Sequence, residues 1–205
     1  MRGLFVVLEG SDGAGKSTFR ERFEKKLEEL KIPHLCTREP GGSKVGEKIR
    51  RLLLDPDNVM DARCEALLYA AARAEHVEKT VKPALEKGFL VLSERYVISS
   101  LAYQGYGRNL GKEAIWKINE FATAKLMPDV TLFFYISPEE SLRRKTESLD
   151  RLELEAMDFH ERTRVGYEEL IHSLPVNLIH ADKSPEEVYK EGEKVILDAW
   201  RRCNG

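Results

Sequence analysis

Cysteine is scarce: the 205 residues hold three, Cys36, Cys64 and Cys203, and none sits in a C-x-x-C pair. That spacing excludes a zinc-ribbon centre and a disulfide framework, and fits reduced thiols in a cytoplasmic protein. Long apolar runs are missing as well. The first, Leu4 to Leu8, leads straight into a glycine-rich loop and so is not a signal sequence. No run approaches the roughly 20 residues that a bilayer-spanning helix needs. An excess of one charge is absent too: 33 basic residues stand against 35 acidic ones, a net charge of −2. Broad attraction to nucleic acid or to an anionic membrane is therefore not expected, and any phosphate contact must come from individually placed cations. There is no internal repeat, low-complexity tract or Gly/Ser/Pro-rich linker, so residues 1–205 are expected to form a single domain. The guanine-specific N-K-x-D motif is also lacking, which argues against a GTP switch.

What is present is an alternation of short apolar runs and helical patterns. Leu4–Glu9, Leu35–Arg38, Phe89–Glu94, Val130–Ile136 and Val176–His180 are rich in branched or aromatic residues. Such runs are expected as strands of a parallel sheet buried on both faces. Between them, Ser17–Leu30 carries Phe19, Phe23, Leu27 and Leu30 on one helical stripe. The last helix repeats the pattern with Val188, Gly192, Val195, Ala199 and Trp200. Ser137-Pro138-Glu139-Glu140 and Ser184-Pro185-Glu186-Glu187 each read as a Ser N-cap, a Pro at the first helical position and a Glu closing a capping box. Asp61 to Lys87 reads as one long helix, kinked or stopped near Pro83. The whole is a doubly wound α/β layer architecture.

The first strand ends in Gly10-Ser11-Asp12-Gly13-Ala14-Gly15-Lys16-Ser17-Thr18, a G-x-x-x-x-G-K-S/T phosphate-binding loop between strand and helix. Its glycines let successive N–H groups close around a polyphosphate. Lys16 is expected on the β- and γ-phosphates and Ser17 on Mg²⁺, at the positive end of the following helix. ATP binding is therefore expected of the loop as a whole. Two arginines, Arg38 after the second strand and Arg95 after the third, end at the same edge of the sheet, where ligands of open α/β folds bind.

GSDGAGKST, TREPGG, ERY followed by SSLAYQG, and LDRLELE resemble thymidylate kinases in order and spacing, and PDVTL resembles that family's fourth strand. The resemblance implies a P-loop NTPase fold of the nucleoside monophosphate kinase type, with a five-stranded parallel sheet, helices on both faces and a lid. It implies transfer of the γ-phosphate of Mg·ATP to dTMP, with ATP and dTMP as partners and a homodimer as the assembly. By the same resemblance Asp12 lies near the acceptor's sugar and phosphate, and Arg38 and Arg95 grip that phosphate. Tyr69 stacks on thymine, Arg73, four residues on and so on the same helix face, hydrogen-bonds its carbonyl edge, and Ser100 and Gln104 meet the base edge. Tyr103 crowds the sugar's 2′ position. Glu94 stands where the family usually has Asp, keeping a carboxylate near Mg²⁺ one methylene further out. Residues 143–153 resemble the lid. With Gly13 in the loop and a basic lid, the chain resembles the bacterial type whose catalytic cation comes from the lid: Arg151 first, with Arg144 and Lys145 as alternatives. Lys16 and Arg95 complete the expected catalytic set. The competing possibility is a degenerate nucleotide sensor or switch without kinase activity.

Overall fold

Alternating side chains of the first strand feed two separate cores, and this fixes the layering. The computed structural model describes residues 2–136 and 151–205. Strands β1 (Leu4–Glu9), β2 (His34–Arg38), β3 (Leu90–Glu94), β4 (Val130–Tyr135) and β5 (Asn177–His180) form one sheet in the order β2-β3-β1-β4-β5. Every neighbouring pair is parallel. The helices are α1 (Lys16–Glu29), α2 (Lys44–Leu54), α3 (Ala62–His76), α4 (Lys82–Glu86), α5 (Val97–Ser100), α6 (Lys112–Ala122), α7 (Met157–Ser173) and α8 (Pro185–Asn204). No helix among the described residues is long and apolar enough to cross a membrane.

Leu4, Val6 and Leu8 of β1 join Phe19, Phe23 and Leu27 of α1 and Ile196 and Trp200 of α8 in one core. Phe5 and Val7 point the other way, to Val77, Tyr96, Leu101, Ile115 and Tyr167. This is the period-two alternation of a central strand. Each such side chain, fully withdrawn from water, contributes about 1.5–3 kcal/mol. Gly192 lets α8 approach: a Cβ there would lie 2.6 Å from the Phe19 ring. Ser184 caps α8 with its complete box, as its sequence predicts. The matching Ser137 segment and residues 143–150 of the expected lid lie outside the described residues.

One expectation needs correction, and one alternative is decided. The outer strands are not buried on both faces: β5 is exposed except at Ile179, and β2 is only half-buried. Both are edge strands, covered less completely than β1. The helix from Asp61 does not stop at Pro83. It passes through a π-helical turn at Val77–Val81 and resumes as α4, with the Lys82 N–H reaching back to Val77 O. Pro83 has no N–H to give to an i−4 carbonyl, and the wider turn makes room for its ring. A second π-helical stretch, Leu101–Gly107, follows α5, beginning inside the SSLAYQG segment and ending two residues beyond it. Such wide turns occur frequently at functional sites.

Candidate active site

The loop between β1 and α1 closes on itself. Gly10 has φ +127°, and a Cβ there would strike Phe134 O, so only glycine fits. Lys16 is buried, and its Nζ donates to Gly10 O at 2.9 Å and to Ser11 O at 2.6 Å. Burial, reinforced by the Arg95 guanidinium, pulls the Lys16 ammonium down to about 8. Ser17 Oγ donates to Glu94 Oε2 at 2.8 Å, and Arg20 Nε donates to Glu94 Oε1 at 2.6 Å. The longer Glu side chain therefore reaches Ser17 directly.

Across the sheet edge, Asp12, Tyr69, Arg73, Arg95, Ser100, Tyr103 and Gln104 line one crevice, together with Glu39, Pro40, Arg50, Leu54, Ser99 and Leu152. Seven of the eight residues expected around the acceptor are thus brought together. Arg38 is the exception. It lies half-exposed beside Glu47 at 3.1 Å and does not line the crevice.

Arg95 sits in the left-handed region, φ +66°, where a side-chain-bearing residue is strained. Its N–H donates to Leu8 O at 2.8 Å. The fully buried Glu9 fixes the turn that follows, accepting from Tyr96 N at 2.8 Å, Ser99 N at 3.2 Å and Ser99 Oγ at 2.7 Å. Burial pushes the Glu9 carboxyl up, against the lowering effect of those donors and of Arg95. The Arg95 guanidinium meets Ser99 Oγ at 3.0 Å, Tyr167 Oη at 3.2 Å and Asp12 Oδ1 at 2.5 Å. Burial works to raise the Asp12 carboxyl, but Arg95 and Lys16 outweigh it and hold Asp12 well below the usual carboxylate range. Tyr103 donates to Asp12 Oδ2 at 3.1 Å, and the Arg95 guanidinium lies 5.3 Å from its ring centre.

Arg73 is buried in the wall of the crevice. Its Nε donates to Glu39 Oε2 at 2.6 Å, Nη1 to Ser100 Oγ at 2.9 Å and to Asn119 Oδ1, and Nη2 to Tyr96 O at 2.8 Å. Among the described residues, four of the guanidinium's five N–H groups are committed, which leaves one on Nη2. Glu39 also accepts from His76 Nδ1 at 2.8 Å, and His76 Nε2 lies 2.9 Å from Thr37 Oγ1. Arg151 is placed away from the loop: its Nε donates to Leu53 O at 2.8 Å and its Nη2 to Glu65 Oε2 at 2.7 Å. The guanidinium of the preferred lid cation is engaged by α2 and α3, because a buried carboxylate there competes for it.

The thymidylate kinase family model matches residues 8–191. The chain belongs to the thymidylate kinase family. It is 44% identical to a thymidylate kinase of Bacillus velezensis over 98% of this chain and 99% of that one. It is 54% identical to one of Lactobacillus helveticus over 82% of each chain. The crystal structure of the Ehrlichia chaffeensis thymidylate kinase superposes with a TM-score of 0.78 at 28% identity, covering 96% of this chain and all of that one. The sheet and its helices are therefore the P-loop fold of this kinase family. Four residues of the site escape a reading of the sequence: Glu9, Glu39, Arg50 and Glu65. Glu9 adjoins the phosphate-loop motif and Glu39 lies within TREPGG, and those positions were the available signal. Arg50, whose Nη1 donates to Pro40 O at 2.9 Å, looks no different in sequence from Arg51 beside it.

Proposed function

We propose that this thymidylate kinase homologue transfers the γ-phosphate of ATP to dTMP, giving dTDP and ADP. One observation carries this: the seven acceptor-type residues share a crevice that Asp12 joins to the phosphate loop. The acceptor phosphate, with a second pKa near ~6, is largely dianionic at neutral pH and needs no general base. The task is electrostatic, to bring two polyanions into line. Lys16 takes the β- and γ-phosphates, with the N–H groups of Gly10 to Thr18 around them. Arg95 takes the acceptor phosphate, and Arg50 assists in the place foreseen for Arg38. Tyr69 stacks on the base, Arg73, Ser100 and Gln104 read its edge, and Tyr103 with Asp12 packs the sugar.

Ser17 and Glu94 would hold Mg²⁺. A hydroxyl and a carboxylate 2.8 Å apart are the hard oxygen donors that ion prefers, with phosphate and water completing the set. When bound, the ion neutralises charge on the phosphate oxygens. Arg144 carries the proposal for the lid cation, since Arg151 is held by Glu65. The proposal extends to a cytoplasmic homodimer, for which the exposed strip Cys64, Leu67 and Ala71 on α3 is the candidate surface.

The test is ADP formation from Mg·ATP with dTMP, dUMP, UMP, CMP and AMP side by side. Turnover is expected with dTMP, with dUMP second because one methyl group is worth only about 1–3 kcal/mol. ADP formation independent of any acceptor would instead favour a hydrolase or sensor.

A further inference from the structure

Glu65 is buried on α3 and takes no part in the chemistry above, yet three side chains converge on it. Its Oε2 accepts from Arg108 Nη2 at 2.8 Å and Arg151 Nη2 at 2.7 Å, and Arg108 Nε lies 3.2 Å from both oxygens. Its Oε1 accepts from Gln104 Nε2 at 2.9 Å. Burial works against its charge, but Arg108, Gln104 and Arg151 outweigh that and hold the Glu65 carboxyl below its ordinary range. An ionised carboxylate only accepts, so the Gln104 amide must turn its NH₂ toward Glu65. Its carbonyl oxygen is then left on the crevice side, where Gln104 forms part of the wall and no donor among the described residues meets it.

We propose that Glu65 is a positioning residue for base selection: it locks the Gln104 amide so that an acceptor, rather than a donor, faces the base. This rests on the assignment of the crevice to dTMP. Thymine offers a donor at N3–H and an acceptor at O4, matching the Gln104 carbonyl and the remaining Arg73 N–H. Cytosine offers the reverse at both atoms. A freely turning amide would accept either pattern, because NH₂ and C=O differ little in size. Glu65 removes that freedom without touching the base.

Glu65→Gln makes this testable. Arg108 and Arg151 require an acceptor at the Oε2 position, so the new amide turns its NH₂ toward Gln104. Gln104 must then reverse and present its own NH₂ to the crevice. The readout is the ratio of kcat/KM for dTMP to that for 5-methyl-dCMP, which keeps the methyl group but inverts the N3 and ring-4 pattern. The ratio is expected to fall about tenfold or more, through KM for the two acceptors, with KM for ATP unchanged. Gln104→Ala should also lower the ratio, and adding Glu65→Gln to it should then change nothing further. A ratio unmoved by Glu65→Gln while Gln104→Ala lowers it overturns the positioning role and leaves the base assignment standing. A ratio unmoved by Gln104→Ala overturns the assignment of Gln104 to the base, and the proposal with it. An effect of Glu65→Gln that persists in the Gln104→Ala background shows a route other than Gln104, and also overturns it. Should thermal unfolding show that Glu65→Gln does not fold, Glu65→Asp keeps both arginines paired but withdraws from Gln104. A lowered ratio there supports the role, and an unchanged one contradicts it.

Discussion

The two halves of the site are prepared in opposite ways. In the phosphate half, Lys16 is satisfied by the carbonyls of its own loop, Gly10 O and Ser11 O, and Ser17 and Arg20 share Glu94. These groups must exchange partners when a nucleotide arrives. In the base half, Arg73 is held from four directions and Gln104 from a fifth, which leaves one Arg73 N–H and the Gln104 carbonyl without a partner among the described residues. Rigid groups of that kind lose little entropy on binding and discriminate by pattern. A polyphosphate is recognised mainly by charge, so flexible, self-satisfied partners suffice. Bases differ by the placement of single hydrogens, and that requires groups that cannot turn.

Removing Lys16 should break the phosphate half most severely. Lys16→Met is expected to lower kcat by roughly a hundred- to a thousandfold, with the unfolding midpoint little changed. A kcat within threefold of the parent would remove Lys16 from the reaction. Glu39→Gln attacks the base half. Withdrawing the charge opposite Arg73 is expected to cost about 3 kcal/mol of stability and to raise KM for dTMP while KM for ATP holds. Chemical denaturation and steady-state kinetics together read both, and equal rises in the two KM values would contradict the separation of the halves.

The smallest effect concerns protons. In the nucleotide-free protein, burial pulls the Lys16 ammonium down to about 8. A lysine with a lowered folded pKa is bound to fewer protons than the unfolded chain between about 8 and 10.5, so its contribution to stability rises with pH across that window. Polyphosphate favours the ammonium, so ATP binding near pH 8 should take up a fraction of a proton, and none near pH 6.5. Calorimetry in buffers of different ionisation heat measures this uptake. Equal uptake at both pH values would sever the link to Lys16.

Much of this was legible in the sequence, and the residues show why the rest was not. The phosphate loop is a local motif, since backbone geometry and chemistry occupy the same nine residues, and the strands announce themselves by composition. The base half is assembled from α3, the π-helical stretch Leu101–Gly107 and α6, and its supports, two acids and the Asn119 amide, stand 34 to 46 residues from their partners. Glu65 in sequence is one more acid on a helix, and only packing reveals that it is buried among two arginines and an amide. Arg38 and Arg151 misled for the same reason. Glu47 and Glu65 decide where their guanidinium groups point, and neither pairing shows in the linear sequence.

The contrast between the halves is tested most directly by a crystal structure with dTMP and a non-hydrolysable ATP analogue bound together. In that complex Arg73 is expected to keep Glu39, Ser100, Asn119 and Tyr96 O, while Lys16 Nζ leaves Gly10 O and Ser11 O for the phosphates. Arg73 re-paired around the base, or Lys16 still on its own loop beside a bound triphosphate, would contradict that contrast.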